Sequence, residues 1–371
     1  MPIRLHWFVP SHGDGRAAGR PVPGRRPAAA DRRRDPDFDY LVEVARAADR
    51  LGFDGALVPF GLFCEDPWLV AAALSQETRR LRLMVAFRTG LMSPTLLAQM
   101  AATLQRMSNG RLLLNVVAGG DLEEQRRYGD HLEHDERYDR ADEALQVMTG
   151  AWTGKVDVHG RYVNVEGATV VRRPDPLPRI YVGGSSPAAH RLARRYADVL
   201  LSWAERPSDH RAIVDGFDTA ERDISFGTRF HVITRDRSAD AWAETERFLA
   251  AVDPALIERT QQRLAQSDSH GQQRNLALHN GDLRNLEIHP GVWAGQGLTR
   301  QGSGLTLVGS HTEVADRIEE YHDCGVTEFI LSGQPHLEEA YWFAEGVLPI
   351  LRARGLLPAE PAGVGTEGGG G

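Results

Sequence analysis

The stretch Gly227-Thr228-Arg229-Phe230-His231-Val232-Ile233-Thr234-Arg235 decides how the fold of this chain is interpreted. Its β-branched and aromatic residues predict a buried strand. Successive side chains on a strand point to opposite faces, so Arg229 and His231 share one face while Phe230 and Val232 share the other. A buried strand carries such a pair beside an anionic partner, at a solvent-accessible end, or beside a ligand. Two interpretations stay open: a structural ion pair, or part of an anion-binding site.

Composition limits the class of protein. The chain has 371 residues, of which 42% are hydrophobic and 25% charged, as in an ordinary globular enzyme. Its net charge of -8 argues against a nucleic-acid partner. The two cysteines, Cys64 and Cys324, are far apart and show no metal-binding spacing, which favours a reducing cytoplasm. Neither an apolar run of about 20 residues nor a signal-peptide pattern is present, so we expect a cytoplasmic protein without a membrane span.

Apolar, β-branched runs alternate with helical patterns along most of the chain. This alternation predicts βα units and a parallel sheet, and eight such strands predict a (β/α)8 TIM barrel in the α/β class. The predicted strands are 5–10, 55–59, 81–87, 112–117, 179–182, 199–203, 228–234 and 327–332. Helices are predicted over 40–51, closed by Gly52, and over 94–107, preceded by Ser93. We expect a single domain over 1–355 and a flexible Gly-rich tail over 356–371.

Two insertions interrupt this rhythm. Residues 156–173 alternate around His159-Gly160 and predict a β-hairpin. Residues 260–304 are rich in Gln, Asn, His and Gly, and a connection of this length is typical of a mobile lid, a binding loop or a disordered segment. The Pro- and Arg-rich segment 17–37 is predicted to be flexible.

In a (β/α)8 barrel the active site lies at the C-terminal ends of the strands. The polar groups there are Cys64-Glu65-Asp66, Arg88-Thr89, Gly119-Gly120-Asp121, Gly184-Ser185-Ser186 and Trp203-Ala204-Glu205, with Arg229 and His231 on the seventh strand. Ser185 and Ser186 lead directly into a helix, which makes either an anion site or a plain N-cap. His134 and Tyr138 share one helical face and either bind a phosphate or lie in a surface turn.

Two further site chemistries can be weighed from the residues. Cys64 is either a nucleophile activated by His231 or a packed side chain. His131 and His134 are three residues apart but lack a third ligand of matching placement, so no metal site is predicted.

Several motifs together resemble the two-component, reduced-flavin-dependent alkanesulfonate monooxygenases of the bacterial luciferase-like superfamily. They are His12-Gly13-Asp14-Gly15, Cys64-Glu65-Asp66, Val85-Ala86-Phe87-Arg88, Ser108-Asn109-Gly110-Arg111, Gly183-Gly184-Ser185-Ser186, the Arg229 and His231 strand, Trp293 to Arg300, and Pro335-His336-Leu337-Glu338-Glu339. The resemblance covers the chain from Leu5 to about Leu351. It implies a luciferase-like barrel that takes reduced FMN from a separate NAD(P)H-dependent FMN reductase and uses O2 to cleave the C–S bond of an alkanesulfonate, giving an aldehyde and sulfite. It also implies a homo-oligomer.

The resemblance implies roles for individual residues. Arg229 and Arg300 would bind the sulfonate, with Arg300 carried over the site by the lid, and His231 would orient the substrate and move a proton. Cys64 would lie near substrate and flavin, and Trp203 would form a wall of the substrate pocket. The FMN contacts would be Thr89, Gly119, His134, Tyr138, Ser185 and Ser186.

One position departs from the family pattern. Ser332-Gly333-Gln334-Pro335-His336 has Gln334 where the family commonly has Tyr, and Gln does not ionise near neutral pH. If Gln334 contacts the substrate, the same flavin chemistry on a sulfone or sulfinate is an alternative. A non-catalytic flavin-binding relative is a further alternative.

Overall fold

Eight parallel strands close into a barrel in the computed structural model, which describes residues 2–15, 33–219 and 222–358. The strands in chain order are β1 (Arg4–Phe8), β2 (Gly55–Val58), β3 (Arg82–Phe87), β4 (Leu112–Val117), β5 (Val156–His159), β6 (Asn164–Ala168), β7 (Arg179–Gly183), β8 (Val199–Trp203), β9 (Ser225–Arg235), β10 (Glu287–His289), β11 (Val292–Trp293), β12 (Thr306–Ser310) and β13 (Val326–Ser332). The barrel order is β1-β2-β3-β4-β7-β8-β9-β13, and β13 pairs with β1 to close it. The predicted TIM barrel and its eight strands are confirmed.

Helices surround this barrel. They are α1 (Phe38–Leu51), α2 (Pro67–Glu77), α3 (Pro94–Met107), α4 (Leu122–Arg127), α5 (His134–Thr153), α6 (Pro187–Tyr196), α7 (Pro207–Asp215), α8 (Ser238–Ala250), α9 (Pro254–Leu264), α10 (His270–Ala277), α11 (His311–Asp323) and α12 (His336–Ala353). Gly52 ends α1 with φ 91°, a left-handed conformation that glycine adopts without strain, as the sequence predicts. The predicted bounds of α3 are confirmed.

The barrel interior is apolar near its middle and polar at its N-terminal end. Phe8, Leu57, Leu113 and Ile330 belong to the apolar cluster inside the barrel. Below it, the buried carboxylate of Glu328 contacts the side chains of His6 (2.7 Å), Tyr181 (2.8 Å) and Arg179 (2.9 Å). These three partners offset the cost of burying the Glu328 carboxylate, and the cluster fills the N-terminal end of the barrel and stabilises it.

Strand β9 is longer than the other barrel strands, and its C-terminal half extends beyond the barrel. Residues Ser225–Arg229 pair with β8, whereas His231–Arg235 pair with β12, which lies outside the ring together with β11 and β10. These three short strands are not among the predicted ones. Their pairing depends on the tertiary position of the β9 extension and not on a local pattern.

The hairpin predicted over 156–173 is confirmed as β5 paired antiparallel with β6. The insertion predicted over 260–304 contains the C-terminal part of α9, all of α10, β10, β11 and a short 3-10 helix over Gly295–Leu298. Residues 17–32 of the predicted flexible segment and 359–371 of the predicted tail lie outside the described residues. Among the described helices, none is long and apolar enough to cross a membrane.

Candidate active site

A pocket opens at the C-terminal end of the barrel, where the sequence analysis placed the site. Side chains from β1, β2, β3, β4, β8 and β9 line it, together with the start of α5, the β7–α6 turn and the 260–304 insertion. Nine of the predicted site residues lie in its wall: Cys64, Gly119, His134, Tyr138, Ser185, Ser186, Trp203, Arg229 and Arg300. We call this the main pocket. Thr89, His231 and Gln334 are not among its lining residues.

Two guanidinium groups, those of Arg229 and Arg300, make one part of the main pocket cationic. Arg229 lies on β9 with its guanidinium carbon 4.2 Å from the centroid of the Phe8 ring. Arg300 comes from the insertion, just after its 3-10 helix, and the Ser303 hydroxyl next to it donates to the Arg229 carbonyl. Because an apolar wall strengthens the field of a cation, this end of the pocket favours an anionic group.

His231 lies behind this cationic end. Its ring is 2% exposed, and Nδ1 is 2.8 Å from the hydroxyl oxygen of Ser332. Burial, followed by the charges of Arg300 and Arg229, lowers the pKa of His231 well below its ordinary value. The imidazole is therefore neutral at neutral pH, which suits hydrogen bonding better than accepting a proton.

A second cavity adjoins His231 and is lined also by Gln296, Gln334 and Glu339. The Gln296 amide nitrogen donates to the Gln334 side-chain oxygen at 3.3 Å. The structure thus places Gln334 and His231 in the wall of this second cavity, and it places no Gln334 atom in the wall of the main pocket. That Gln334 binds substrate stays a prediction that this placement does not favour.

Just after β3, and on β4, the pocket contains two residues that have no role predicted from the sequence, Arg88 and Asn115. Thr89 is buried, but its neighbour Arg88 lines the pocket and forms an ion pair with Glu124 at 2.5 Å. Asn115 lies in the middle of β4 and its side-chain oxygen is buried without a hydrogen-bond partner. Asn115 has the single polar side chain in the apolar run Leu-Leu-Leu-Asn-Val-Val, a pattern that indicates a polar group inside the barrel.

At the opposite end of the pocket, helix N-termini and hydroxyl groups converge. Ser186 caps α6 by accepting from the Ala189 N–H at 3.1 Å, so the plain N-cap interpretation holds for its hydroxyl. Tyr138 donates to the Gly183 carbonyl at 3.2 Å, and burial raises its pKa to about 12. A Cβ on Gly184 would lie 2.5 Å from the Tyr138 hydroxyl oxygen, so only glycine keeps this backbone open. Free N–H groups at such helix starts favour a phosphate.

The insertion is docked on this end. His270, at the start of α10, stacks on His134 with ring centroids 5.4 Å apart, and both line the pocket. Arg137 forms an ion pair with Asp268 at 2.6 Å, and the Ser267 hydroxyl donates to the Gly120 carbonyl at 2.6 Å. The insertion therefore covers both ends of the pocket, through α10 at one end and Arg300 at the other. Its predicted mobility stays a prediction.

Cys64 lies in the loop after β2, partly exposed, in the wall of the main pocket. Since the His231 ring is held by Ser332 and lines the other cavity, the geometry does not favour the interpretation in which His231 activates Cys64. Within residues 2–15, 33–219 and 222–358, no group of three or more His, Cys, Asp or Glu side chains is placed to hold a metal ion.

Comparison with known proteins gives one family and a set of similar folds. Residues 3–328 match the family model described as luciferase-like monooxygenase. A structure of riboflavin lyase (RcaE) with modified FMN and riboflavin has a TM-score of 0.79 at 22% identity, covering 96% of this chain and 93% of that chain. EDTA monooxygenase (EmoA) from Chelativorans sp. BNC1 has a TM-score of 0.74 at 20% identity, covering 96% and 95%. Long-chain alkane monooxygenase (LadA) has a TM-score of 0.73 at 19% identity, covering 97% and 93%.

Proposed function

Because the chain belongs to the luciferase-like monooxygenase family, we propose that it uses reduced FMN and O2 to cleave the C–S bond of an alkanesulfonate. The products are an aldehyde, sulfite, oxidised FMN and water. The observation that carries the proposal is that Arg229 and Arg300 line the same pocket, whose other end contains the glycine- and serine-rich start of α6. A sulfonate is a permanent anion, and a planar guanidinium binds such oxygens through paired N–H groups.

The residues present fit a flavin. His134, Tyr138, Ser185 and Ser186 would hold its phosphate, where Gly184 leaves room that a Cβ would fill. Asn115 would accept from an N–H of the ring, which gives a partner to its buried side-chain oxygen. Gly119, with φ 79°, lines the pocket beside Arg88, and a Cβ there would lie 2.0 Å from the Gln125 amide nitrogen. Reduced flavin supplies the electrons that activate O2.

The protein's own contribution is binding, orientation and exclusion of water. The guanidinium groups of Arg229 and Arg300 hold the sulfonate, while Phe8, Leu57 and Phe63 line the apolar part of the pocket where an alkyl chain would lie. His231 does not line the main pocket, so the predicted contact of its imidazole with the headgroup is not favoured by this placement. The docked insertion keeps bulk water from the reacting groups. The chain would receive reduced FMN from a separate NAD(P)H-dependent reductase.

The test is sulfite release from purified protein given photochemically reduced FMN, O2 and alkanesulfonates of several chain lengths. Photoreduction removes the need for a reductase, so a negative result is not caused by a missing partner. We expect sulfite and the corresponding aldehyde in equal amounts. Absence of sulfite with every alkanesulfonate would overturn the proposal.

The same assay separates the alternatives. Matched alkyl sulfinates and sulfones test a different organosulfur substrate, which Gln334 motivates. A non-catalytic flavin-binding protein would bind reduced FMN and yield no product from any of them. A deazaflavin-dependent relative would instead transfer hydride under anaerobic conditions, which absorbance of the cofactor reports.

A further inference from the structure

We infer that Asp14 and His336 form a proton-handling pair behind the wall of the main pocket, in which Asp14 fixes the imidazole and Nε2 of His336 accepts a proton. The chemical step that this pair serves rests on the proposed function. The pair itself rests on the contacts of the two residues, which do not depend on the substrate.

Asp14 holds His336 at two points. One carboxylate oxygen is 2.9 Å from Nδ1 of the ring and the other accepts from the His336 backbone N–H at 2.7 Å. The Tyr40 hydroxyl also donates to Asp14. Burial alone would raise the pKa of Asp14, but the charge and hydrogen bonds of His336 and the Tyr40 hydroxyl lower it below its usual value. Asp14 is therefore an ionised carboxylate, and it fixes the proton of His336 on Nδ1.

The other ring nitrogen of His336 is the available one. Nε2 is buried and has no hydrogen-bond partner, in a side chain that is 4% exposed. The ring stacks on Phe8, with centroids 5.6 Å apart, and meets His12 edge-on at 6.5 Å. Phe8 and His12 both line the main pocket, and the Arg229 guanidinium packs over the Phe8 ring. Nε2 of His336 thus lies in the layer directly behind the cationic end.

Neither of the neighbouring candidates suits this role. His231 is held neutral by burial and by two arginines, so protonating it is unfavourable. Gln334 has no ionisable group and lines the second cavity. His336 differs from both because its Nδ1 contacts a buried carboxylate while its Nε2 has no hydrogen-bond partner. The charged and titratable groups around the pair are His12, Arg34, Tyr40, Arg229, His231 and Glu338.

The step is a proton transfer without change of oxidation state. His336 does not line the main pocket, so the proton would reach Nε2 by way of His12, which lines the pocket and meets the His336 ring edge-on. The ring becomes an imidazolium ion, whose charge Asp14 compensates, and after turnover it returns the proton by the same route. Asp14 is a positioning residue, because it acts through His336.

Two measurements test the pair. In protein labelled with 15N-histidine, without flavin or substrate, we expect the neutral His336 ring to carry its proton on Nδ1, with the signal assigned by His336→Gln.

In sulfite release, we expect His336→Gln to lower kcat by about 10²-fold to 10⁴-fold. Asp14→Asn should lower kcat and move the acid limb of the pH profile to lower pH, with KM little changed. Asp253→Asn, the same exchange at the N-cap of α9, is the matched control and should leave kcat and the profile as in the wild type.

If Asp14→Asn does not fold, Tyr40→Phe gives a second variant. It removes one donor from the Asp14 carboxylate and leaves the charge, so the acid limb should move to higher pH. A His336 ring protonated on Nε2 in the wild type would overturn the pair. The expected tautomer with wild-type kcat in both His336→Gln and Asp14→Asn would overturn its proton-handling role. Failure of the wild type to release sulfite would overturn the proposed function, and the tautomer would still report on the pair.

Discussion

Replacing Arg229 with alanine tests whether the cation on β9 binds substrate or only stabilises the strand. The guanidinium lies in the wall of the main pocket, 4.2 Å from the Phe8 ring centroid, with Arg300 as the second cation. Leaving a buried anion without its partner costs about 3–5 kcal/mol. Because Arg300 remains and keeps part of that interaction, we expect the lower end of this range. At about 1.4 kcal/mol per factor of ten, kcat/KM for an alkanesulfonate should fall by about 10²-fold.

The stability of the same variant should change little. Loss of the contact with Phe8 removes about 1–2 kcal/mol at most. Removing one of two neighbouring cations offsets part of that loss. Because Arg229 also lowers the pKa of His231, its removal should raise that pKa, which 15N NMR of the ring can follow. A thermal melt within a few degrees of the wild type would show that the fold is kept.

Two further variants sharpen the Arg229 experiment. Arg229→Lys keeps the charge but loses the paired N–H groups, so we expect a loss of about tenfold. Arg237→Ala removes an exposed arginine just beyond the same strand and is the control, with wild-type activity expected. The assay is sulfite release with photoreduced FMN, together with calorimetric binding of the alkanesulfonate. Wild-type kcat/KM in Arg229→Ala would refute the reasoning and favour a structural role for this cation.

Three other predictions concern the flavin end and the core. Asn115→Leu should weaken FMN binding by about 0.5–1.5 kcal/mol yet stabilise the flavin-free protein, because a buried oxygen without a partner is removed. Flavin fluorescence titration measures the first effect and chemical denaturation the second. If binding and stability both fell, or both rose, Asn115 would not be the flavin contact. Burial lowers the pKa of His210 to about 3, so below about pH 6.5 the unfolded state binds one more proton and the free energy of unfolding falls as pH falls. His210→Gln should therefore lose about 2 kcal/mol less of its free energy of unfolding than the wild type between pH 7.5 and pH 5. His131→Gln, at an exposed position, should lose as much as the wild type. Gly184→Ala should weaken FMN binding and lower the melting temperature, since its Cβ would lie 2.6 Å from the Ala189 Cβ. An unchanged dissociation constant for FMN would show that the turn between β7 and α6 does not bind the flavin phosphate.

The sequence was enough to predict the barrel because its strands are short runs rich in apolar and β-branched residues that alternate with helical patterns. It was not enough for β12, whose five residues pair with the part of β9 that extends beyond the ring. Helix ends such as Gly52 and Ser186 were predictable because capping is a local property.

The site was predictable where the strand ends bring residues together, and less so where distant segments meet. Asp14 and His336 are 322 residues apart, and no local pattern indicates that they touch. Gln334 was expected at the substrate because of its place in a family motif. The direction of the chain after β13 instead turns its side chain to the second cavity, where it meets Gln296 from the insertion.

The division of β9 between two partners explains why Arg229 and His231 share a face but line different cavities. Arg229 is in register with Trp203 of β8, inside the ring, whereas His231 is in register with Thr306 of β12, outside it. Between these two residues the neighbouring strand changes, so the same face of β9 opens first to the main pocket and then to the second cavity. His231 therefore lies in a wall between two spaces, close enough to the arginines to be held neutral by them.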